Sequence, residues 1–326
     1  MRKLTRESWI NSSLVLLLAL APLCASLLDE PYYVNLASRV VIIAMAAVGL
    51  NLALGFGGLI SFGHAAFFGL GGYVAGVAAY HAFDGSYFIG VIPGSDQMPV
   101  IWLVAVLVAG LAATFIGVIS LRTQGVYFIM ITLAFAQMIY YFAISFPTYG
   151  GEDGLSIYVR NSLFSLDTSD PLIFFGICFF SLMLSIFVTR RIMGSRFGAA
   201  LTMARLNDIR LATSGVEPFP IRLTTFVLSA MITSGAGALF ADLNGFVSPS
   251  MLSWHHSGEL MVIVILGGVG RLFGPVAGAV VFVLLETFIG GFTQHWQFFL
   301  GLILLSVVLF ANGGLIGLLA GRPRHD

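Results

Sequence analysis

Ten long apolar runs, nearly free of charge, alternate with short polar connections along these 326 residues. They lie near 9 to 28, 34 to 54, 63 to 82, 100 to 121, 124 to 146, 171 to 189, 223 to 246, 258 to 270, 275 to 292 and 296 to 318. A helix needs about 20 apolar residues to cross a bilayer, so the pattern predicts about ten spanning helices, the eighth too short to cross unaided. The expected fold is all-α, a polytopic transmembrane helical bundle of about 8 to 10 spans with room for broken or re-entrant helices, forming a single domain over 1–326.

One polar interruption is long. The 33 residues from Arg190 to Arg222 hold six of the 15 basic side chains. Within this handle, residues 196–212 predict a short helix. Phe197, Leu201, Ala204, Leu211 and Ala212 share an apolar stripe about 100° wide, while Arg196, Asn207 and Arg210 face the other way. Asp208 interrupts the stripe, and Gly215 and Pro218 stop the helix. Such a helix either lies on the membrane surface or docks a cytoplasmic partner.

Composition agrees with the pattern. Mean hydropathy is +0.98, with 58% apolar and 9% charged residues, whereas soluble domains carry roughly a quarter charged residues. Zero net charge gives no reason to expect a nucleic-acid partner. Cys24 and Cys178 both fall in apolar runs and read as small hydrophobes, not as a disulfide or metal pair. Arg2, Lys3 and Arg6 before the run Leu14 to Ala21 resemble a signal peptide; with so many later spans, the segment reads as the first of them.

Basic residues mark cytoplasmic loops. Ten crossings with the N-terminus inside put 13 of 15 Lys and Arg on the cytoplasmic side and leave Arg39 and Arg160 outside, so both termini are expected in the cytoplasm. Lys3 is the single lysine, so no phosphate loop of the GxxxxGK type exists in these residues. If ATP is used, another chain hydrolyses it.

Nine glycines fall between Gly49 and Gly76, each weakening a helix by about 1 kcal/mol relative to Ala. Two readings stay open: close helix packing, or a discontinuous segment beside a solute path. Asn51, Gly57, Gly58, Ser61, His64 and Gly71 are its candidate residues. Ser61 and His64 lack a nearby acid to form a catalytic set, and Ser61 reads as a cap for the amides that follow. Leu266 to Ala279, with Arg271 and Pro275, predicts a sharp turn between two half-length helices. His255, His256 and Glu259 have a faint metal-ligand look but no further ligand close by, and read as solvated at the outer boundary. Glu286 lies inside the ninth run, where an acid is a functional hypothesis by default; hydrogen bonding between helices in protonated form is the other reading.

These pieces, in this order, resemble an ABC importer permease of the branched-chain amino acid type, its LivM-like branch. The matching stretches are Gly49 to Tyr73, Arg122 to Gln137, Gly150 to Leu155, the handle from Gly194 to Gly215, Ser248 to Ala279 and Glu286 to Leu319. The resemblance implies a permease without its own ATPase site and with no directly bound cofactor. Its partners would be a second homologous permease, two cytoplasmic ATPase subunits and a periplasmic solute-binding protein in a bacterial inner membrane. Residues 196–212 would be the coupling helix, with Phe197, Leu201, Arg205, Asp208 and Gly215 coupling to an ATPase. The coupling segment departs from the family in its thinned charge, Met203 to Asp208, and Ala311 to Gly314 stand where a proline is common. The alternative is an ion-gradient-driven secondary transporter with Glu286 or Asp242 as proton carrier. An enzyme would need converging catalytic groups, and the sequence offers none.

Overall fold

A computed structural model describes residues 6–88, 92–158, 160–163, 166–292, 295–310 and 313–320. Eight of its helices are long and apolar enough to cross a membrane. The long helices are α1 (Arg6–Leu27), α2 (Pro31–Asn51, prolonged by a π turn at Leu52–Phe56), α3 (His64–Asp84), α4 (Met98–Ser120), α5 (Val126–Ile144), α6 (Pro171–Met193), α9 (Pro218–Asn244) and α11 (Gly274–Phe292). Between them lie α7 (Arg196–Leu206), α8 (Asp208–Thr213) and α10 (Trp254–Gly267), and the chain closes with α12 (Trp296–Phe310) and α13 (Gly314–Ala320). Prolines in the first turn start α2, α4, α6 and α9, where the missing N–H is lost without cost. Asp170 caps α6 through the Leu172 amide.

An apolar helix in a bilayer can face lipid or protein equally well, so side-chain size decides which helices go inside. From Val40 to Leu54, α2 is buried on all sides. It packs against α9, whose buried stretch Ser229 to Ala238 is mostly Ser, Thr, Gly and Ala. A Cβ on Gly71 of α3 would lie 2.7 Å from the Ser234 carbonyl carbon, and one on Gly237 of α9 would lie 2.7 Å from that of Phe68. The α3 and α9 backbones therefore touch. The Gly49 to Gly76 segment is accordingly no re-entrant hairpin: it is the end of one span, a π turn, a connection at 57–63 and the start of the next span, with Gly49, Gly55, Gly69, Gly71, Gly72 and Gly76 closely packed against other elements.

Discontinuity occurs elsewhere. After α9 ends at Gly245 (φ 62°), residues 246–253 run back along the bundle. They form a two-residue strand, Phe246–Val247, paired antiparallel with Leu155–Ser156, then a 3-10 turn at Pro249–Leu252. That turn lies against the first half of α3: a Cβ on Gly69 would sit 2.5 Å from Leu252 Cγ, and one on Gly72 2.7 Å from Met251 Cε. The 14-residue α10 then completes the crossing. The eighth apolar run is thus a half-helix with an extended lead-in. The tenth run, expected as one helix over 296–318, is split into α12 and α13.

Glu7 lies 3.6 Å from Arg271, Gly55 abuts Arg205 of the handle, and Gly314 packs on Gly268. Glu7, near the start of α1, and Gly314, at the start of α13, therefore both lie on the side that carries the handle. Arg2, Lys3, Ala311, Asn312, Arg322 and Arg324 lie outside the described residues.

Candidate functional site

The handle differs from the single helix expected over 196–212. Asn207 is extended (φ −163°, ψ 111°) and splits it into α7 and α8, its side-chain oxygen accepting from the Arg210 amide at 3.1 Å. Asn competes for local backbone donors in this way, which favours a cap over a helix interior. Leu201, Ala204 and Leu211 are buried as the stripe predicted, whereas Ala212 is exposed and Phe197 only half-buried.

Polar contacts bind the buried face to the bundle. Arg205 Nη1 donates to the Gly55 carbonyl in the π turn, and its Cγ would lie 3.0 Å from a Cβ on Gly58 (φ 69°), a position that favours glycine. Asp208 pairs with Arg222 at 2.9 Å and accepts from Gln124 at 3.4 Å, while Arg222 also donates to the Ala204 carbonyl. One turn earlier, the buried Asn51 amide donates to Arg271 O at 2.9 Å and accepts from Gly270 N at 3.0 Å, joining α2 to the turn between α10 and α11. These contacts connect the handle to the end of α2, and Asn51 connects α2 to the discontinuous crossing. Leu201 is buried against the bundle, and Arg205 and Asp208 each bond to it, Arg205 while remaining exposed on the handle. The side of the handle away from these contacts carries Leu206 and Ile209, 80% and 76% exposed, with Met203 beside them. Gly215 (φ 84°) has nothing within 4 Å of its Cβ position and serves as the turn leaving the handle. Gly57, within the connection, follows the π turn and donates to Leu52 O at 3.1 Å.

Ser61 is buried and its hydroxyl accepts from the Gly63 amide, forming a turn just ahead of α3, whose cap position is Gly63. His64 Nε2 is 2.7 Å from Ser229 Oγ, and Ser229 gives its single proton to Gly49 O at 2.5 Å. The imidazole must then donate from Nε2. Phe67 and Phe226 close over the ring edge-on. His64 thus ties α2, α3 and α9 together.

Glu286 does not stand alone. Arg39 Nη2 contacts both of its oxygens, at 2.8 and 3.0 Å. His255, His256 and Glu259, expected as solvated at the outer boundary, line an open cleft together with this pair and with Ser250, Met251 and Ser253 of the lead-in to α10. His256 Nδ1 lies 3.0 Å from Glu259, and its ring sits 4.7 Å from that of Phe68. The cleft measures about 390 Å³. Asp242, buried at the end of α9, accepts from Asn161 at 2.6 Å. The neighbouring Arg160 donates to the carbonyls of Asp242, Leu243 and Thr168 and lies 4.5 Å over the Phe174 ring. Asp242 therefore latches the 155–170 loop to α9. Arg39 is the residue that sequence reasoning misplaced. The available signal was a lone arginine and a lone glutamate in two otherwise apolar runs, a combination that demands pairing.

The model of the family described as branched-chain amino acid transport system / permease component matches residues 32–309. Two relatives, each named high-affinity branched-chain amino acid transport system permease protein LivM, come from Salmonella typhimurium and Escherichia coli. Each is 27% identical over 307 residues, covering 87% of this chain and 69% of its own. No solved structure matches the chain. A family match of this extent, over a helical bundle with the handle and broken crossing described, places the chain in the branched-chain amino acid transport system permease family.

Proposed function

We propose that this chain is one of two permeases in an ATP-driven importer of a bacterial inner membrane. The handle side is cytoplasmic, which puts both termini there, in keeping with the excess of Lys and Arg on that side. Two ATPase subunits hydrolyse ATP on its behalf, a periplasmic binding protein delivers the solute, and a second homologous permease completes the path. The solute is a small amino acid-like molecule with a branched or otherwise hydrophobic side chain, as the relatives' names suggest.

The observation that carries this reading is the two-faced handle. Its inner face is locked to the π turn by Arg205, and its outer face exposes Leu206 and Ile209. Two large aliphatic side chains standing out together from a charged loop support a contact with another protein at this face. Replacing both, Leu206→Asp with Ile209→Asp, removes co-purification of ATPase chains with the tagged permease and abolishes ATP-dependent uptake, while the amount in the membrane stays normal. Undiminished uptake by that variant overturns the coupling role.

A further inference from the structure

The cleft between α2, the lead-in to α10, and α11 combines features that a lipid-facing or purely structural surface does not. Arg39 and Glu286 lie within spanning helices, yet their side chains are 36% and 19% exposed. A charged pair open to hydrocarbon is costly, so such groups face a water-filled space or the interior of a bundle. Arg39 uses only Nη2 on Glu286; among the described residues, Nε and Nη1 have no hydrogen-bond partner. Glu259 is the second carboxylate, and the buried Nε2 of His256 lacks a partner. The first turn of α10 borders the same space through Ser253, His255 and His256, with Ser253 at its cap, and a helix N-terminus favours negative charge. Apolar walls from Ile43, Phe240 and Phe282 complete the cleft. Its volume of about 390 Å³ lies in the range of about 300 to 1,000 Å³ of small-molecule sites.

We infer that this cleft is a binding site for a free zwitterionic amino acid on its way through the membrane. Guanidinium N–H groups of Arg39 and the first turn of α10 receive the carboxylate, Glu259 and Glu286 receive the ammonium group, and the apolar walls take an aliphatic side chain. The inference rests on the importer reading for its solute and adds the place where that solute is held.

The test uses the whole assembly in nanodiscs, with Cys24→Ala removing the exposed thiol and Ser250→Cys introducing one at the cleft wall. Labelling by a small methanethiosulfonate reagent is followed with leucine, leucinamide or 4-methylpentanoate present. Leucine slows labelling, and the analogues lacking the carboxylate or the ammonium protect only at concentrations at least about tenfold higher, as expected when one charge-assisted hydrogen bond is lost. In Arg39→Gln, leucine protection weakens by a similar factor; the double variant Arg39→Gln with Glu286→Gln, which leaves no unpaired charge, repeats the measurement should the single variant fail to assemble. ATP-dependent leucine uptake is measured on the same preparation. Uptake without protection refutes the site and leaves the importer reading standing. Protection without uptake supports the site and refutes the importer. Equal protection by all three compounds shows nonspecific occlusion and also refutes the site.

Discussion

Gly71→Ala adds one methyl group where α3 crosses α9, and its effect follows from geometry. The new Cβ would fall on the Ser234 carbonyl oxygen, 2.7 Å from its carbon and 2.8 Å from Ser234 Oγ, which itself donates to Ala105 O of α4 at 3.0 Å. Backbone atoms cannot swing aside as a side-chain tip does, so the two helices must part. Overpacking of this kind costs about 1–3 kcal/mol, and a rigid backbone neighbour puts the cost at the upper end. Ala improves helix propensity by about 1 kcal/mol, leaving a net loss of about 2 kcal/mol. Gly176→Ala is the matched control: it sits in α6 with nothing within 4 Å of its Cβ position, so it keeps the propensity gain of roughly 0.5–1 kcal/mol. Unfolding both variants with SDS in mixed micelles, followed by fluorescence of the four tryptophans, separates them by about 2–3 kcal/mol from these terms. Equal stability of Gly71→Ala and the unmodified chain refutes backbone contact between α3 and α9. The reverse substitution across the interface, Gly237→Ala against the Phe68 carbonyl, behaves like Gly71→Ala.

Arg205→Ala leaves the ATPase chains bound through Leu206 and Ile209 but lowers coupled uptake at least about tenfold, the loss of one charge-assisted bond that transmits movement; uptake at normal rate with normal co-purification disproves transmission through the π turn. Asn51→Leu strands a buried carbonyl and amide at the turn between α10 and α11, at about 1–3 kcal/mol for each unsatisfied group, read by the same SDS titration. Glu286→Gln destabilises the fold more than Arg39→Gln with Glu286→Gln, because the single change leaves a cation unpaired within the bundle; a double variant as unstable as the single denies the ion pair its structural part.

The spans, the handle and the family were legible in the amino-acid sequence because each depends on local chemistry. Bilayer thickness turns any run of about 20 apolar residues into a helix, and six Arg residues in the handle cannot enter hydrocarbon unaided. Asn207 was also readable as a breaker, yet the apolar stripe that crosses it suggested one continuous helix. The glycines between Gly49 and Gly76 left close packing and a discontinuous segment both open, and named no partner. Only the fold supplies Ser234 and Phe68, more than 150 residues from their counterparts on the other helix. Likewise an isolated Arg39 and an isolated Glu286 each look like an anomaly until α2 and α11 lie side by side, when two costly charges become a pair 247 residues apart in the chain. Which short helix breaks was settled the same way. The 246–253 lead-in has too little hydrophobic length to declare itself, and enters the bundle only because Gly69 and Gly72 of α3 leave room for Leu252 and Met251. Composition decides what a segment can tolerate; where every helix is apolar on all faces, only packing of small residues and pairing of rare charges decides which surfaces meet.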